Sequence, residues 1–254
     1  MGTGHGHRLY RHGDTVVHRL PAHTKLVALV LFVLTVVATP REQYWAFGAY
    51  LVLLAAVSVA AAVPAGFIAR RMVVELPFVA FAILLPFIAH GPRTEFLGLT
   101  VSESGLLGGW NILAKATLGV IASILLAATT EPRELLAGMR RLRVPPLPVE
   151  ITSFMVRYAD VVTDEMRRMR IARESRGFQA SHLGHLQVVA RSAGALFIRS
   201  YERGERVHLA MLSRGYTGVM PMLDNRVTPS NAWLVAGAVP LLAALIAATA
   251  WSLT

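Results

Sequence analysis

The sequence predicts an all-α membrane protein with about five transmembrane helices and a set of long amphipathic cytoplasmic helices. Of its 254 residues, 54% are hydrophobic and 16% are charged. The mean hydropathy of +0.52 is well above that of an ordinary soluble domain. Five apolar runs approach the roughly 20 residues that a helix needs to cross the hydrocarbon core of a bilayer. There are no cysteines, so disulfides, thiolate metal sites and Cys nucleophiles are excluded.

The first half of the chain is predicted to be a polar tail followed by four membrane spans. Residues 1–24 form a His-rich N-terminal tail that lacks the ordered charged, apolar and cleavage regions of a signal peptide. The first apolar run is therefore expected to stay in the membrane. A four-helix transmembrane region is predicted over 25–130, with spans at roughly 25–39, 43–63, 72–90 and 105–129.

Basic residues in the short loops predict the orientation of these spans. Arginines and a lysine precede the first span, and Arg70 and Arg71 join the second to the third. The loops on the other side offer only Arg41 and Arg93. Because cytoplasmic loops carry the excess of Lys and Arg, the N-terminus is predicted to be cytoplasmic.

The segment 131–229 has a different composition, with 16 arginines among its residues. It is predicted to be a cytoplasmic region of amphipathic helices, and 230–254 to be a C-terminal transmembrane helix whose end lies outside. Residues 144–161 are apolar, but their prolines argue against a full crossing, so a helix lying at the interface is predicted there. The net charge of +10 is expected to meet the anionic headgroups of the lipid bilayer, and no nucleic-acid partner is expected.

A short repeat is the sharpest feature of this region. Ser175-Arg176-Gly177 recurs 38 residues later as Ser213-Arg214-Gly215, and each copy closes an amphipathic helix. Each arginine continues the apolar stripe of its helix, which is unusual for a solvated charge. An arginine between a small residue and a glycine is suited to a bidentate contact with a carboxylate on a partner. The alternative is that both arginines bind lipid headgroups at the ends of interfacial helices; the duplication favours docking.

Four stretches together resemble the transmembrane T component of energy-coupling factor (ECF) transporters, the ABC-type importers of vitamins and transition-metal ions. The resemblance covers nearly the whole chain and is closest to the cobalt or nickel group, the CbiQ-like T components. The stretches are the early His18-Arg19-Leu20-Pro21 with Lys25-Leu26, the Thr129-Thr130-Glu131-Pro132 segment that runs on to Pro145, the helix from Arg157-Tyr158 to the first Ser-Arg-Gly, and the helix from Tyr201-Glu202-Arg203 to the second.

This resemblance implies the function. The two motifs, Ser175-Arg176-Gly177 and Ser213-Arg214-Gly215, would end coupling helices and insert into grooves of two ABC-type ATPase subunits. A small membrane substrate-binding (S) subunit would bind the transported ion, which is expected to be cobalt or nickel. ATP and Mg would be bound by the partner ATPases and no cofactor by this chain, which would be a non-catalytic subunit of the bacterial cytoplasmic membrane. No Gly-x-x-x-x-Gly-Lys-[Ser/Thr] loop occurs in the sequence, as expected of a subunit whose partner subunits bind and hydrolyse the ATP.

A membrane-embedded enzyme and a classical ABC permease with its own substrate path are the alternatives. The sequence contains no His-Glu-x-x-His or Gly-x-Ser-x-Gly motif, so no catalytic residue is predicted. Only Asn111 and Lys115 suggest a polar cavity within a span, and both are interpreted as structural or coupling-related. His90 and Glu75 are expected to snorkel to the interface. The histidines of the tail are expected to be solvated, and no metal site is predicted, because a flexible tail offers no fixed geometry.

Overall fold

The computed structural model describes residues 10–89, 93–96, 99–178, 186–218 and 231–252, which fall into two compact units. The membrane unit comprises the described residues up to Leu142 together with those from 231 onwards; the arginine-rich unit comprises those from Arg143 to 218. In the membrane unit the helices are α1 Val16–Arg19, α2 Ala22–Ala38, α3 Tyr44–Ala60, α4 Ala65–Arg71, a 3₁₀ turn Met72–Glu75, α5 Leu76–Ile88, α6 Glu103–Thr129, α7 Pro132–Arg141 and α10 Ala232–Ser252. In the arginine-rich unit they are α8 Pro146–Glu174 and α9 Leu186–Leu212. The division of the sequence into four regions stays a prediction.

The apolar helices confirm the predicted class, an all-α membrane protein. Among the described residues, three helical stretches are long and apolar enough to cross a membrane: Ala65–Ile88, Glu103–Thr129 and Ala232–Ser252. The helices α2 and α3 are equally apolar but have 17 residues each, the lower end of the range for a span. The third span begins at Ala65 instead of the predicted residue 72, because α4 and the 3₁₀ turn run directly into α5.

A short antiparallel hairpin joins α5 to α6, a feature that the sequence did not predict. Its strands are β1 Arg93–Phe96 and β2 Leu99–Ser102. Arg93 is opposite Ser102 and Phe96 is opposite Leu99. The hairpin replaces part of the connection with paired backbone groups and leads directly into the first turn of α6.

The spans pack closely where glycine allows two backbones to approach. A Cβ added at Gly105 would lie 2.7 Å from the Cα of Pro86, and one at Gly109 would lie 2.7 Å from the carbonyl oxygen of Ala82. Small residues at an interface are the usual means of bringing membrane helices together. In the core of the unit the hydroxyls of Tyr50 and Thr39 are 2.9 Å apart, so the polar end of a fully buried tyrosine is satisfied.

Two ionisable side chains within the spans are held by protein groups. Glu75 is 3% exposed and accepts a hydrogen bond from the hydroxyl of Thr117, so the prediction that it snorkels to the interface is wrong. Lys115 donates to the carbonyl oxygen of Val37 in α2 at 2.8 Å, which gives it a structural partner as expected. His90 lies outside the described residues. A carboxyl and an ammonium at membrane depth are costly unless they have such partners.

The first helix of the arginine-rich unit is longer than the apolar segment in which it begins. The helix predicted over 144–161 is present as the first part of α8, which runs on without a break through 29 residues, and its position at the interface stays a prediction. Pro146 and Pro148 lie in its first turn, where backbone N–H groups have no intrahelical acceptor and proline costs little. The prolines therefore start the helix instead of interrupting it.

Candidate functional site

The two Ser-Arg-Gly motifs end α8 and α9 with the same backbone geometry. Gly177 has φ +77° and Gly215 has φ +82°, the left-handed region that glycine adopts without strain. The N–H of Gly177 donates to the carbonyl oxygen of Glu174 at 3.0 Å, and that of Gly215 to Leu212 at 3.0 Å. In both helices the glycine therefore closes the last turn.

The aromatic residue after each glycine completes the same cap. The N–H of Phe178 donates to the carbonyl oxygen of Arg173, and that of Tyr216 to Met211. Together with the glycine bonds, these contacts form the Schellman arrangement, which satisfies carbonyls that a helix end otherwise leaves unpaired. The two motifs are thus equivalent in three dimensions as well as in sequence.

The serines have the same structural role in both motifs. The hydroxyl of Ser175 donates to the carbonyl oxygen of Ala172 at 3.1 Å, and that of Ser213 donates to Ala210 at 2.9 Å. Each hydroxyl is thereby turned back onto its own helix. The arginine that follows is the last residue before the left-handed glycine, so the backbone fixes the position from which its side chain projects.

Both arginines point to solvent. Arg176 and Arg214 are exposed, and within the described ranges neither guanidinium forms an ion pair. Ile171 and Leu209, five residues before each arginine, are 53% and 58% exposed. Each helix end therefore exposes a planar fork of donors, and the last helical turn before it exposes an aliphatic side chain.

The repeat is longer than sequence reasoning recognised. The structure aligns Ile171 with Leu209 and Ala172 with Ala210, at the same offset of 38 residues that relates the two arginines. Each motif is therefore an eight-residue unit that begins with an exposed aliphatic residue and ends with an aromatic one. Extending the observed offset four residues towards the N-terminus would have found this signal in the sequence.

Polar contacts hold α8 and α9 side by side in antiparallel directions. Arg199 in α9 pairs with Glu165 in α8 at 2.5 Å, and Arg173 donates to the hydroxyl of Ser192 at 3.2 Å. The hydrogen bond from Arg199 lowers the pKa of Glu165, since it favours the ionised carboxylate. Glu165 also pairs with Arg168 at 3.2 Å.

An apolar groove lies beyond this ion pair. It has a volume of about 380 Å³, and its walls come from the first half of α8, with Phe154 and Tyr158, and the second half of α9, with Val207 and Met211. The groove is thus lined by side chains of both helices, and Glu165 and Arg199 lie on its wall.

The two motifs lie far apart along this hairpin. Arg173 and Ser192 place the first motif beside the start of α9, whereas the second lies at the end of α9. The 21 residues from Ser192 to Ser213 rise by roughly 30 Å along a helix. The motifs are therefore two separate surfaces of the unit.

The histidines that the structure describes are engaged by protein groups. His18 donates from Nε2 to the carbonyl oxygen of Arg11 at 3.1 Å and accepts at Nδ1 from the hydroxyl of Thr15 at 2.8 Å. Burial lowers the pKa of His18, because the charged ring loses hydration. The ring of His23 packs against that of Trp233, with centroids 5.6 Å apart. His5 and His7 lie outside the described residues; in the part that is described, no group of three or more His, Cys, Asp or Glu could hold a metal ion.

The chain is similar to known transporter components over most of its length. The family model CbiQ, a cobalt transport protein, matches residues 13–226, which include both motifs. An energy-coupling factor transporter transmembrane protein, EcfT, of Bacillus selenitireducens is 29% identical over 227 residues, 82% of this chain and 82% of the relative. The cobalt transport protein CbiQ of Rhodobacter capsulatus is 29% identical over 196 residues, 77% and 78% of the two chains. EcfT of Bacillus subtilis is 28% identical over 224 residues, 82% and 83% of the two chains.

Proposed function

The chain belongs to the CbiQ family of cobalt transport proteins, as a transmembrane component of the energy-coupling factor type, and we propose that it couples two ATPase subunits to a separate substrate-binding membrane subunit. Its coupling surfaces are the helix ends formed by Ser175-Arg176-Gly177 and Ser213-Arg214-Gly215. It performs no chemistry of its own. ATP and Mg are bound and used by the partner ATPases.

The observation that carries this proposal is the equivalence of the two helix ends. Arg176 and Arg214 project from the same backbone geometry, and each follows an exposed aliphatic residue by five positions. Two equivalent surfaces roughly 30 Å apart along one helix fit two equivalent partners, such as two similar subunits or two copies of one. Headgroup binding alone would require neither the repeated cap nor the repeated aliphatic neighbour.

Each arginine is proposed to contact a carboxylate in a groove of its ATPase. The guanidinium is a rigid fork of donors that matches a carboxylate bidentately, and it is less strongly hydrated than an ammonium. The exposed Ile171 or Leu209, in the last turn of the same helix, would be buried by the same partner. The left-handed glycine removes the side chain that would otherwise lie beside the arginine at the tip.

The hairpin of α8 and α9 is proposed to transmit the motion of the ATPases. ATP binding and hydrolysis would move the two ATPase subunits together and apart, and each motif would follow the subunit to which it is bound. Because α8 and α9 are separate helices that are joined by side-chain contacts such as the Glu165–Arg199 pair, the second motif could be displaced relative to the first without breaking either helix. The displacement would tilt the substrate-binding subunit.

The transported substrate is proposed to be cobalt or nickel: cobalt is in the names of the family and of one relative, and nickel follows only from the resemblance of the motifs to the cobalt or nickel group. The ion would be recognised by the separate S subunit. We place the chain in the bacterial cytoplasmic membrane, with the N-terminus and the arginine-rich unit on the cytoplasmic side, since the arginines of 131–229 follow the positive-inside rule.

Gentle purification of the tagged chain from its native membrane tests the proposal. Two ATPases, or one in two copies, and a small membrane protein are expected to accompany it. The bound small protein is then assayed for Co²⁺ and Ni²⁺ binding by calorimetry. Recovery of the chain alone, under conditions that preserve other membrane complexes, would contradict the proposal and direct attention to an enzyme.

A further inference from the structure

The cytoplasmic end of α6 is capped by residues from the beginning of the chain. Thr129 and Thr130, where α6 ends, are 2% and 1% exposed. The N–H of Arg11 donates to the carbonyl oxygen of Ala128 at 2.9 Å. The last carbonyls of a helix need a partner, and burial makes an unsatisfied one costly. Here the partners come from residues more than a hundred positions away in the sequence.

Lys25 supplies most of this cap. Its ammonium donates to the carbonyl oxygen of Thr129 at 2.9 Å and to the hydroxyl of Thr130 at 3.2 Å. It also donates to the carbonyl oxygen of His18 at 3.3 Å, so three donors of one nitrogen link three segments of the chain. Lys25 is 7% exposed, and a cation at a helix C-terminus is also favoured by the helix dipole.

Thr130 takes part in this cap of α6 and does not cap the helix α7 that follows it. The residue that precedes α7 is Glu131, and no side chain caps the helix there. The hydroxyl of Thr130 is instead an acceptor for Lys25. A single residue, Glu131, separates Thr130 from Pro132 at the start of α7, so fixing Thr130 also fixes the entry of α7.

The helix α7 is held against α2 by a close backbone approach. A Cβ added to Gly138 would lie 2.8 Å from the backbone nitrogen of His23 and 3.1 Å from the Cβ of Ala22. Gly138 is buried. Only glycine allows this contact, because any side chain would push α7 off the first turn of α2. Two independent contacts, the ammonium of Lys25 and the backbone at Gly138, thus join α2, α6 and α7.

We propose that Lys25 is a positioning residue that locks α2, α6 and α7 into one rigid joint, through which movement of the arginine-rich unit reaches the membrane spans. The transmission role rests on the proposed function, whereas the rigidity of the joint does not. The chain itself supplies the reason. α7 is the element between the span α6 and the helix α8, so force on α8 enters the membrane unit through α7. A joint that yielded would absorb the displacement instead of passing it to α2 and α6.

The joint is tested by measuring the distance between α2 and α7 in the full chain. The chain has no cysteine, so spin labels on Val37→Cys in α2 and Arg133→Cys in α7, both exposed positions, report that distance without further changes. The measurement is made in lipid nanodiscs, on the chain alone and on the complex with its co-purified ATPases, with and without a non-hydrolysable ATP analogue. The wild-type distance distribution is expected to be narrow and unchanged by nucleotide.

Lys25→Met keeps the length and apolar stem of the side chain and removes its donors. The width of the distance distribution is expected to at least double in this variant, in the isolated chain as well as in the complex. Gly138→Ala adds a methyl group at the contact of α7 with α2 and is expected to increase the mean distance between the two labels. Gly119→Ala in α6, where a Cβ would meet no atom within 4 Å, is the matched control and is expected to resemble the wild type.

The outcomes separate the joint from the proposed function. A Lys25→Met distribution as narrow as that of the wild type, or a wild-type distance that changes with nucleotide, would overturn the joint. Absence of ATPases from the purified wild type would contradict the proposed function, while the isolated chain would still report on the rigidity of the joint. If Lys25→Met does not fold, Lys25→Arg and Gly138→Ala give the same comparison, with Lys25→Arg expected to keep the narrow distribution.

Discussion

The membrane unit and the arginine-rich unit handle their polar groups in opposite ways. In the membrane unit, Lys25, Glu75 and Tyr50 are buried, and each is hydrogen-bonded to another element of the same unit. In the arginine-rich unit most charged side chains are exposed, with Glu150 a buried exception, and large apolar side chains such as Ile171 and Leu209 are exposed as well. A surface that exposes both charged and large apolar side chains gains binding free energy when a partner covers them.

This difference separates what a substitution does in each unit. Removing a polar group from the membrane unit leaves its hydrogen-bond partner unsatisfied in a place that water does not reach, so the stability of the fold decreases. Removing a guanidinium from the tips of α8 or α9 leaves no hydrogen-bond partner unsatisfied within the described chain, so the affinity for the partner is expected to decrease instead. The predictions below test that separation.

The largest effect is expected from reversing the charge of both motif arginines. Arg176→Glu with Arg214→Glu is predicted to abolish association with the ATPases, because each contact between buried charges is worth about 2–5 kcal/mol. Each single variant should weaken binding by at least ~30-fold, by the usual conversion of free energy into affinity. Affinity is measured with the purified chain in nanodiscs, and membrane insertion should not change.

Two other arginines of the same helices give a matched control. Arg167 in α8 and Arg206 in α9 are also exposed but lie outside the motifs. Arg167→Glu with Arg206→Glu changes the net charge equally and should keep most of the affinity. Equal loss in the two double variants would mean that general electrostatic attraction, and not the motifs, holds the partners.

The next effect is expected within the membrane unit. Thr117→Val removes the hydroxyl that donates to Glu75 and leaves a carboxyl with 3% exposure without that bond. The cost is about 1–3 kcal/mol, seen as a lower melting temperature in detergent. Affinity of the folded fraction for the ATPases should be unchanged; a loss of affinity without a loss of stability would contradict the separation of the two units.

A smaller effect is expected from the glycines of the motifs. Gly177→Ala and Gly215→Ala place a side chain in the left-handed region, at a cost of roughly 1–2 kcal/mol each, although the space around both positions is open. Each variant should weaken ATPase binding several-fold by changing the direction of the neighbouring arginine. Gly194→Ala in α9, which also meets no atom within 4 Å, should have no effect on binding.

The smallest effect is expected from the pair of Glu165 with Arg199. Because the pKa of Glu165 is lowered in the folded chain, the stabilisation is complete above the usual glutamate pKa of about 4.3 and is lost as the pH falls through the lowered value. The hydrogen-exchange protection factors of α8 and α9, which are corrected for the pH dependence of intrinsic exchange, should therefore be unchanged from pH 7 to pH 5 and smaller at lower pH. Glu165→Gln should remove the part of this pH dependence that comes from the pair.

The spans and the motifs could be predicted from the sequence because both are local. Hydropathy located the apolar helices, and the spacing of Ser175-Arg176-Gly177 and its repeat identified the two helix ends. The glycine position of each cap follows from the intolerance of other residues for positive φ. These features need no knowledge of which residues meet across the fold.

The contacts that the sequence could not supply are long-range. The partners of Lys25 lie more than a hundred residues away, and Glu75 meets Thr117 across two helices. A lysine at the start of one span and a glutamate near the end of another both resemble snorkelling residues in sequence. The start of α8 at Pro146 was missed because proline both starts and breaks helices, and only the backbone distinguishes the two.

Cross-linking from the motifs tests the central claim most directly. Ser175→Cys and Ser213→Cys are the sole cysteines of their variants, and a photoactivatable group on either one reports what touches that helix end in the native complex. Both positions are predicted to cross-link to equivalent segments of ATPase subunits, identified by mass spectrometry, in amounts that fall when the adjacent arginine is changed to glutamate. Labelling of lipid alone from both positions would contradict the claim that these helix ends hold the ATPases.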